Sequence, residues 1–454
     1  MTTVRSPTGA LRLADPNTFA DGVPHEALAE LRRTTPVAWQ EMDGQPGFWA
    51  VLRHADVVTV ARDPGRFSAE QGGVVIEDLP QESLEMMRGM LLAMDPPRHL
   101  AYRKPLADTF KAKVIADLEP QIRAVCRDLM AEAAAAGPEV EFVHQVTAGL
   151  PTRVMGRLMG LPEADWALLH SLAERQTAGQ DPDINPPTTD GGDGAGADFS
   201  ASIDMAMYAI EFAGRRRQEE PRPDLTTLIL DGDFAGQPMS DVDFGSFFVQ
   251  LVTAGNDTTK TMLSSGLLAL LQHPGRLAEL RADPSLLPGA VEEILRWANP
   301  LHYFRRTATA DTELGGTAIA AGDKVAMYYT SANRDDDVFD DPQRFDIHRA
   351  HNPHLSFGIA EHFCLGVHLA RLEGRVFFQE LLAAFPLIEL AGDPVRLRSN
   401  LNNSYKRLPV RLGGSRPAVD QPVGQTPHRS GWSARVDGVD GRGAAGVGHR
   451  DRGG

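Results

Sequence analysis

The sequence is poor in cysteine. Only Cys126 and Cys364 occur among its 454 residues, so a framework of disulfides is excluded, and we expect a reducing, cytoplasmic compartment. Cys126 lies in an apolar pattern with helical spacing, which predicts a buried core position. Cys364 has no such pattern around it, and its role has to be sought in the loop that contains it.

Other features are missing as well. No apolar stretch of about 18 residues occurs and the amino-terminal residues do not resemble a signal peptide, so we expect a soluble protein without a membrane span. The formal net charge of −16 argues against a nucleic acid as partner, because phosphate binding requires a basic surface. No glycine-rich fingerprint opens a helix after a strand, so we do not expect this chain itself to bind a flavin or nicotinamide cofactor.

The patterns that are present predict mainly helices with a smaller β region, the α+β class. The longest apolar helical pattern covers about residues 241–273, and short strands alternate with turns between 304 and 329. A break rich in Gly, Pro and Asp, 178–198, is predicted to be a surface loop. We expect one catalytic domain over residues 1–412 and a disordered tail over 413–454, which has almost no apolar clusters.

The loop around Cys364 suits a haem-thiolate site. Its sequence is FGIAEHFCLG, residues 357–366. Small residues let the backbone approach a porphyrin and direct N–H groups toward the sulfur, and a thiolate ligand favours cleavage of the O–O bond on iron. The residues that frame the thiol are Phe357, Gly358, His362 and Gly366. The alternative is a buried cysteine in a glycine-containing loop.

The long helix carries a polar segment, AGNDTT, at residues 254–259. Threonine hydroxyls within a helix can bond to the carbonyl four residues earlier and bend the helix, which beside a cofactor would make room for a small ligand and water. Asp257 is then a candidate proton relay, and Thr258 a candidate hydrogen-bond donor to bound dioxygen. The alternative is a helix with polar residues on its surface.

Two further sets of charged residues could support such a site. Glu293 and Arg296 are three residues apart, hence on one helix face, and with Arg344 they could form a buried cluster that fixes the surroundings of the cysteine loop. His99 and Arg103 are four apart on a predicted helix and could bind a pair of carboxylates. For each residue taken alone, a surface position is the alternative.

Taken together and in their order, these motifs resemble the cytochrome P450 family, in particular its soluble bacterial type, over about residues 10–412. The resemblance implies the cytochrome P450 fold, with haem b between the long central helix and the cysteine loop and Cys364 as the iron ligand. It implies a catalytic pair, Asp257 and Thr258. The residues that it implies for haem binding are His99, Arg103, Ala254, Arg306, Phe357, Gly358, His362, Cys364 and Gly366. The residues that it implies for the structural cluster are Glu293, Arg296 and Arg344.

One position departs from the family pattern. Where the family loop usually has a second glycine, this chain has Ala360. A methyl group is small, so we expect haem binding to be kept unless this position requires a positive φ.

The resemblance implies a monooxygenase that inserts one oxygen atom from O2 into a medium-to-large hydrophobic substrate. Because no fingerprint for a nicotinamide or flavin is present, electrons from NAD(P)H are expected to arrive through a separate ferredoxin and ferredoxin reductase. The candidate docking residues are Arg98, Arg103, Lys104, Lys111 and Lys113. A peroxide-driven peroxygenase and a haem-thiolate sensor without enzymatic activity are the alternatives.

The substrate class is predicted only broadly: a steroid, a terpenoid, a lipid or an intermediate of a natural product. Some stretches are similar to the bacterial subgroup that oxidises sterol side chains and branched lipids. The resemblance places three mainly apolar segments over the haem. Their candidate substrate contacts are Val75, Ile76, Leu301, Tyr303 and Asn402.

Overall fold

The computed structural model describes residues 11–186, 200–234 and 236–414. Most of the predicted tail, and residues 187–198 of the predicted loop, lie outside these ranges. The helices of the described part are α1 (His25–Thr34), α2 (His54–Ala61), α3 (Gln81–Arg88), α4 (Arg98–Ala107), α5 (Ala112–Ala116), α6 (Glu119–Ala136), α7 (Gly149–Leu158), α8 (Trp166–Ala178), α9 (Ser200–Arg216), α10 (Leu225–Asp231), α11 (Asp241–Gln272), α12 (Pro274–Ala282), α13 (Leu287–Ala298), α14 (Tyr329–Ala332) and α15 (Val367–Ala384). A π-helical turn, Val143–Thr147, precedes α7.

Short strands form a smaller β region. The strands are β1 (Val37–Met42), β2 (Gln45–Val51), β3 (Phe67–Ser68), β4 (Glu139–Glu141), β5 (Asp233–Phe234), β6 (Gln237–Pro238), β7 (Tyr303–Ala308), β8 (Thr312–Leu314), β9 (Thr317–Ile319), β10 (Lys324–Tyr328), β11 (Leu387–Leu390), β12 (Val395–Arg396), β13 (Tyr405–Arg407) and β14 (Pro409–Gly413). Five of them make a mixed sheet in the order β1-β2-β10-β7-β3, three pair as β11-β14-β4, and the others form two-stranded ribbons. The predicted α+β composition is confirmed.

Helix α11 is the central element, as its long apolar pattern predicted. It begins where the Ser240 hydroxyl accepts the Asp243 N–H at 3.1 Å, with acidic residues in the first turn, both of which favour a helix start. It ends before Pro274, which disfavours helical backbone in the preceding residue. Residues 261–270 are buried on all sides, because α7, α8, α9, α13 and α15 pack around the helix.

The five-stranded sheet is covered on both faces. Along β10, Val325 and Met327 belong to one apolar cluster, whereas Ala326 and Tyr328 belong to another. Side chains of a strand alternate between its faces, so this division means that each face has its own core. Within the described ranges, the structure contains no helix that is both long and apolar enough to span a membrane.

Candidate active site

Cys364 lies on a tight loop directly before α15. Its N–H donates to the Phe357 carbonyl at 2.8 Å, which closes the loop, and Gly366 is the residue before the first turn of α15. The backbone at Gly358 has φ +66°, a conformation that glycine adopts without strain. The loop therefore presents the sulfur at the amino end of a helix, where N–H groups stabilise a negative charge.

The surroundings of Cys364 act on its thiol in opposite directions. Burial raises the pKa of Cys364, whereas a hydrogen bond from the Gly366 N–H and the charges of Arg103 and Arg371 lower it; burial prevails. A metal cation bound to the sulfur reverses this balance, because a coordinating thiol loses its proton. The site thus has donors and cations placed to support a thiolate ligand.

Ala360 occupies a position with a positive φ of 61°. This is the condition under which the sequence predicted that the departure from glycine would matter. The left-handed conformation costs a residue with a Cβ about 1–2 kcal/mol, so the loop carries strain at this position.

Buried polar atoms without hydrogen-bond partners lie close to one another at this loop. The rings of His99 and His362 lie with their centroids 4.4 Å apart, and the buried His99 Nδ1 and His362 Nε2 have no hydrogen-bond partner. Burial, followed by the charge of Arg103, lowers the pKa of His99 to about 4. Burial and the charges of Arg306, His99 and Arg103 lower the pKa of His362 to about 2.

Two arginines complete this group. Neither Arg103 nor Arg306 forms an ion pair with a carboxylate of the described residues, and burial lowers the pKa of both guanidinium groups. Arg306 is 4% exposed and donates to the Arg305 carbonyl at 2.8 Å. Buried donors and cations without acidic partners suit an anionic ligand, so the carboxylates of a haem fit this group. The structure thus brings together predicted haem-binding residues of α4, β7 and the cysteine loop.

The acid–threonine segment lies in the middle of α11. Ala254 is exposed although the helix around it is largely buried, so its methyl group borders an open space. The Thr258 hydroxyl donates to the Ala254 carbonyl at 2.7 Å, as expected for threonine within a helix. Asp257 is buried and its Oδ1 lies 2.8 Å from Lys260 Nζ. The sequence reasoning missed Lys260, although its spacing of three residues from Asp257 is the signal for an ion pair.

Glu373 is a second buried acid that the sequence reasoning missed. The Thr259 hydroxyl donates to its Oε2 at 3.4 Å, while Oε1 is buried without a partner. Burial raises the pKa of Glu373 to about 8, although the bond from Thr259 opposes this shift. The contact connects the acid–threonine segment of α11 to α15, the helix that follows Cys364.

Glu293 and Arg296 form the buried pair that their spacing predicted, with Nη2 and Oε1 2.7 Å apart. Arg296 also donates to the carbonyls of Asn333, Pro342 and Arg344, which fixes the segment that leads to the cysteine loop. The prediction for the Arg344 guanidinium was wrong, because that group is 55% exposed and lies near Asp346. The second arginine at Glu293 is Arg349, whose Nε lies 3.2 Å from Oε2.

Glu292, adjacent to this pair, contacts residues on both sides of the cysteine loop in sequence. It binds Arg371 through two contacts of 2.7 Å and His354 at 3.2 Å, and the Arg371 guanidinium lies over the Phe357 ring. Burial alone would raise the pKa of Glu292, but hydrogen bonds from His354 and Arg371 lower it to about 2. Its neighbour Glu293 carried the recognisable spacing, so no sequence signal singled out Glu292.

The predicted substrate contacts divide into two groups. Val75 and Leu301 are partly exposed and stay candidates. Asn402 pairs with Leu301 in an isolated β-bridge, but it is buried and its amide donates to the Thr177 carbonyl. Ile76 and Tyr303 are 0% exposed within one apolar cluster, where the Ile76 N–H donates to the Tyr303 hydroxyl. They are core residues and do not line an open space, which corrects the prediction. Val75 and Ile76 lie in an irregular segment outside the strands, where no strand period shows which of two neighbouring side chains is buried.

Comparison with known proteins adds to this geometry. The Cytochrome P450 family profile matches residues 197–406. The steroid C26-monooxygenase of Rhodococcus jostii is 35% identical over 87% of this chain and 83% of that protein. The linalool 8-monooxygenase of Pseudomonas putida is 35% identical over 88% of this chain and 98% of that protein.

A solved structure has the same fold as this chain. A Mycobacterium marinum cytochrome P450 in complex with pseudoionone superposes with a TM-score of 0.82 and 36% identity, covering 90% of this chain and 100% of that chain. The haem-thiolate loop, the fold and these relatives agree with one another, and the sensor alternative loses its support because the relatives are named as monooxygenases. The chain therefore belongs to the cytochrome P450 family and is a haem-dependent oxidoreductase of the monooxygenase type.

Proposed function

We propose that this protein hydroxylates a medium-to-large hydrophobic molecule with a branched hydrocarbon end, of the steroid or terpenoid class, using electrons from a separate ferredoxin. The relatives carry the substrate part of the proposal, since their names include a steroid and linalool, and pseudoionone is bound in a similar structure. Branched hydrocarbon ends are common to a steroid side chain, linalool and pseudoionone. The apolar candidates Val75, Leu301 and Ala254 suit such a group.

We assign the haem-binding roles to Cys364 and to the buried donors around its loop. Cys364 would hold the iron through its sulfur, and the buried donors would bind the haem carboxylates: His99, Arg103, Arg306 and His362. A thiolate-ligated haem supplies the cleavage of O2 and the transfer of one oxygen atom. Phe357, Gly358 and Gly366 shape the loop around the sulfur.

On α11, side chains of the protein would deliver protons and hold one another in position. Thr258 can turn its hydroxyl from the Ala254 carbonyl toward a ligand in the open space, because that bond is local and easily exchanged. Asp257 would bring a proton toward Thr258, and Lys260 fixes the position of the Asp257 carboxylate. Each group is therefore a candidate for proton delivery.

The proposed ferredoxin face is smaller than the sequence suggested. Lys104, Lys111 and Lys113 are exposed around α4 and α5, and Lys111 also pairs with the exposed Asp108 at 2.6 Å. Arg98 is partly buried and pairs with Glu70 at 3.2 Å. Arg103 is turned toward Cys364, whose pKa it lowers. The three lysines make a basic surface on an acidic protein, which would steer an acidic partner.

Charge reversal tests the ferredoxin face. We expect Lys111→Glu/Lys113→Glu to slow reduction of the protein by ferredoxin about tenfold or more at low salt and to weaken the salt dependence of that rate. The control is Arg12→Glu/Arg33→Glu, which makes the same change in charge at two exposed residues elsewhere. Equal reduction rates for the two double variants would contradict the proposed face.

Spectral titration and product analysis test the substrate and the reaction. Steroids and terpenoids with a branched chain should shift the ferric spectrum from low to high spin, and mass spectrometry should find one oxygen atom from labelled O2 in the product. Cys364→Ser should abolish the carbon monoxide band typical of sulfur-ligated haem. If only polar metabolites shifted the spectrum, the substrate proposal would be wrong, and full turnover with hydrogen peroxide alone would favour a peroxygenase.

A further inference from the structure

Three potential metal ligands that have no role in the proposed function lie close together. They are His144, His170 and Glu174, whose ligand atoms all lie within 4.8 Å of one another. We call these residues the His–Glu cluster. His144 belongs to the π-helical turn before α7, and the other two lie on α8. His144 Nδ1 and Glu174 Oε1 are already 3.4 Å apart.

The two ligands on α8 have a spacing that suits a metal. His170 and Glu174 are four residues apart, which places both side chains on one face of the helix. Pairs with this spacing on a helix bind zinc in known metal sites. Two imidazoles and a carboxylate with a fourth position left for water are a common ligand set for Zn²⁺.

Both imidazoles have the outer contacts that metal-binding histidines usually have. The Nε2 of His144 lies 3.0 Å from the Lys406 carbonyl, so it carries the proton and leaves the lone pair on Nδ1, the nitrogen that faces Glu174. The Nδ1 of His170 lies 3.3 Å from the Thr152 hydroxyl, which allows Nε2 to act as ligand. Such contacts orient a ring and fix which nitrogen can bind a metal.

The nearby positive charge is already neutralised in part. Lys260 Nζ lies 3.4 Å from Glu174 Oε1, but it is closer to Asp257, at 2.8 Å. Because Asp257 balances this ammonium, the charge of Glu174 is available to a cation. The side chain of His144 is 41% exposed, which gives an ion a route to the cluster.

From these contacts we propose that the His–Glu cluster is a binding site for a divalent transition-metal ion, and that the ion bound in the cell is Zn²⁺. The ion would connect α8 to the π-helical turn through its two imidazole ligands. Hard cations such as Mg²⁺ and Ca²⁺ would not bind, because they prefer oxygen ligands.

Calorimetric titration of the haem-loaded full chain with ZnCl2 tests the site. We expect one equivalent to bind, and His144→Ala and Glu174→Gln each to weaken binding about tenfold or more. The control is His348→Ala. His348 forms a surface pair with Glu279, with Nε2 and Oε2 2.6 Å apart, but no second histidine completes a cluster there within the described ranges, so its loss should leave Zn²⁺ binding unchanged.

The coordination is read directly from the zinc K-edge X-ray absorption of the one-to-one complex, which the haem iron does not disturb. Two imidazoles and no sulfur should appear around the zinc. Because His144 is exposed, its alanine variant should fold, and an unchanged carbon monoxide band would show an intact haem site. Failure of the wild-type protein to bind Zn²⁺, equal affinity in all four proteins, or a sulfur ligand would each overturn the proposal.

Discussion

The buried carboxyl group of Glu373 contributes a part of the stability that is lost as the pH rises. Burial raises the pKa of Glu373 to about 8 from its usual value of 4.5. Between these two values the unfolded chain loses a proton that the folded chain keeps, so the free energy of unfolding decreases with pH. For one group the slope is about 1.4 kcal/mol per pH unit, and the whole interval amounts to about 5 kcal/mol.

Replacement of this residue by glutamine, Glu373→Gln, removes the titration and keeps an acceptor for the Thr259 hydroxyl. The variant should therefore gain stability relative to wild type as the pH rises from about 5 to about 8, and the difference should level off above that range. Urea unfolding followed by tryptophan fluorescence, at several pH values and with both proteins loaded with haem, measures the difference.

Glu380 provides a matched control on the same helix. Its carboxylate is paired with Arg123 and Arg127, so Glu380→Gln removes ion pairs and should not produce a stability gain that grows with pH. If the stabilities of wild type and Glu373→Gln changed in parallel from about pH 5 to 8, the carboxyl group would titrate alike in the folded and unfolded chains, and the reasoning from burial would be refuted.

The loop and its supports give three further predictions. Arg349→Ala should lower the free energy of unfolding by about 1–3 kcal/mol, because it removes a partner of a buried carboxylate, whereas Arg344→Ala should change it by less than about 0.5 kcal/mol. Thermal unfolding measures both, and equal losses would contradict the assignment of Arg349 as the second arginine at Glu293. Ala360→Gly should raise stability by about 1 kcal/mol, since glycine tolerates the positive φ, and a loss would show that the loop is unstrained. The pKa of Glu292 is lowered to about 2, so its contribution, about 3 kcal/mol at most, is present above pH 4.5 and is lost as the pH falls toward 2; Glu292→Gln should weaken the protein at neutral pH and flatten this acid dependence.

The sequence predicted the large elements because they depend on local patterns. The predicted helix over 241–273 is α11 (Asp241–Gln272), since a long, mainly apolar pattern with a serine before it and a proline after it allows few other structures. The strands predicted between 304 and 329 are found as β7 to β10. The order in which strands pair was not predicted, because β2 and β10 are far apart in the chain and only the folded structure brings them together.

The site was predictable where a single spacing or motif carries the chemistry. Glu293 and Arg296 needed only the helical period, and the cysteine loop is a continuous segment. The Arg344 prediction failed because the choice between Arg344 and Arg349 depends on a turn in which Arg344 contributes its carbonyl and Arg349 its side chain. No helical or strand period reports which way a side chain points in an irregular segment.

The residues missed at the site share one physical property. Lys260, Glu292 and Glu373 are charged or titratable groups that each contact an element distant in the chain: Glu174 on α8 for Lys260, Arg371 on α15 for Glu292 and Thr259 on α11 for Glu373. A sequence pattern shows that a face is apolar, but the effect of burying one carboxyl group depends on which donors reach it: Glu292 contacts nitrogens of Arg371 and His354, whereas Glu373 accepts from one hydroxyl. Those donors lower the pKa of the first to about 2 and leave that of the second at about 8, so two glutamates with similar propensities in the sequence acquire opposite protonation states at neutral pH.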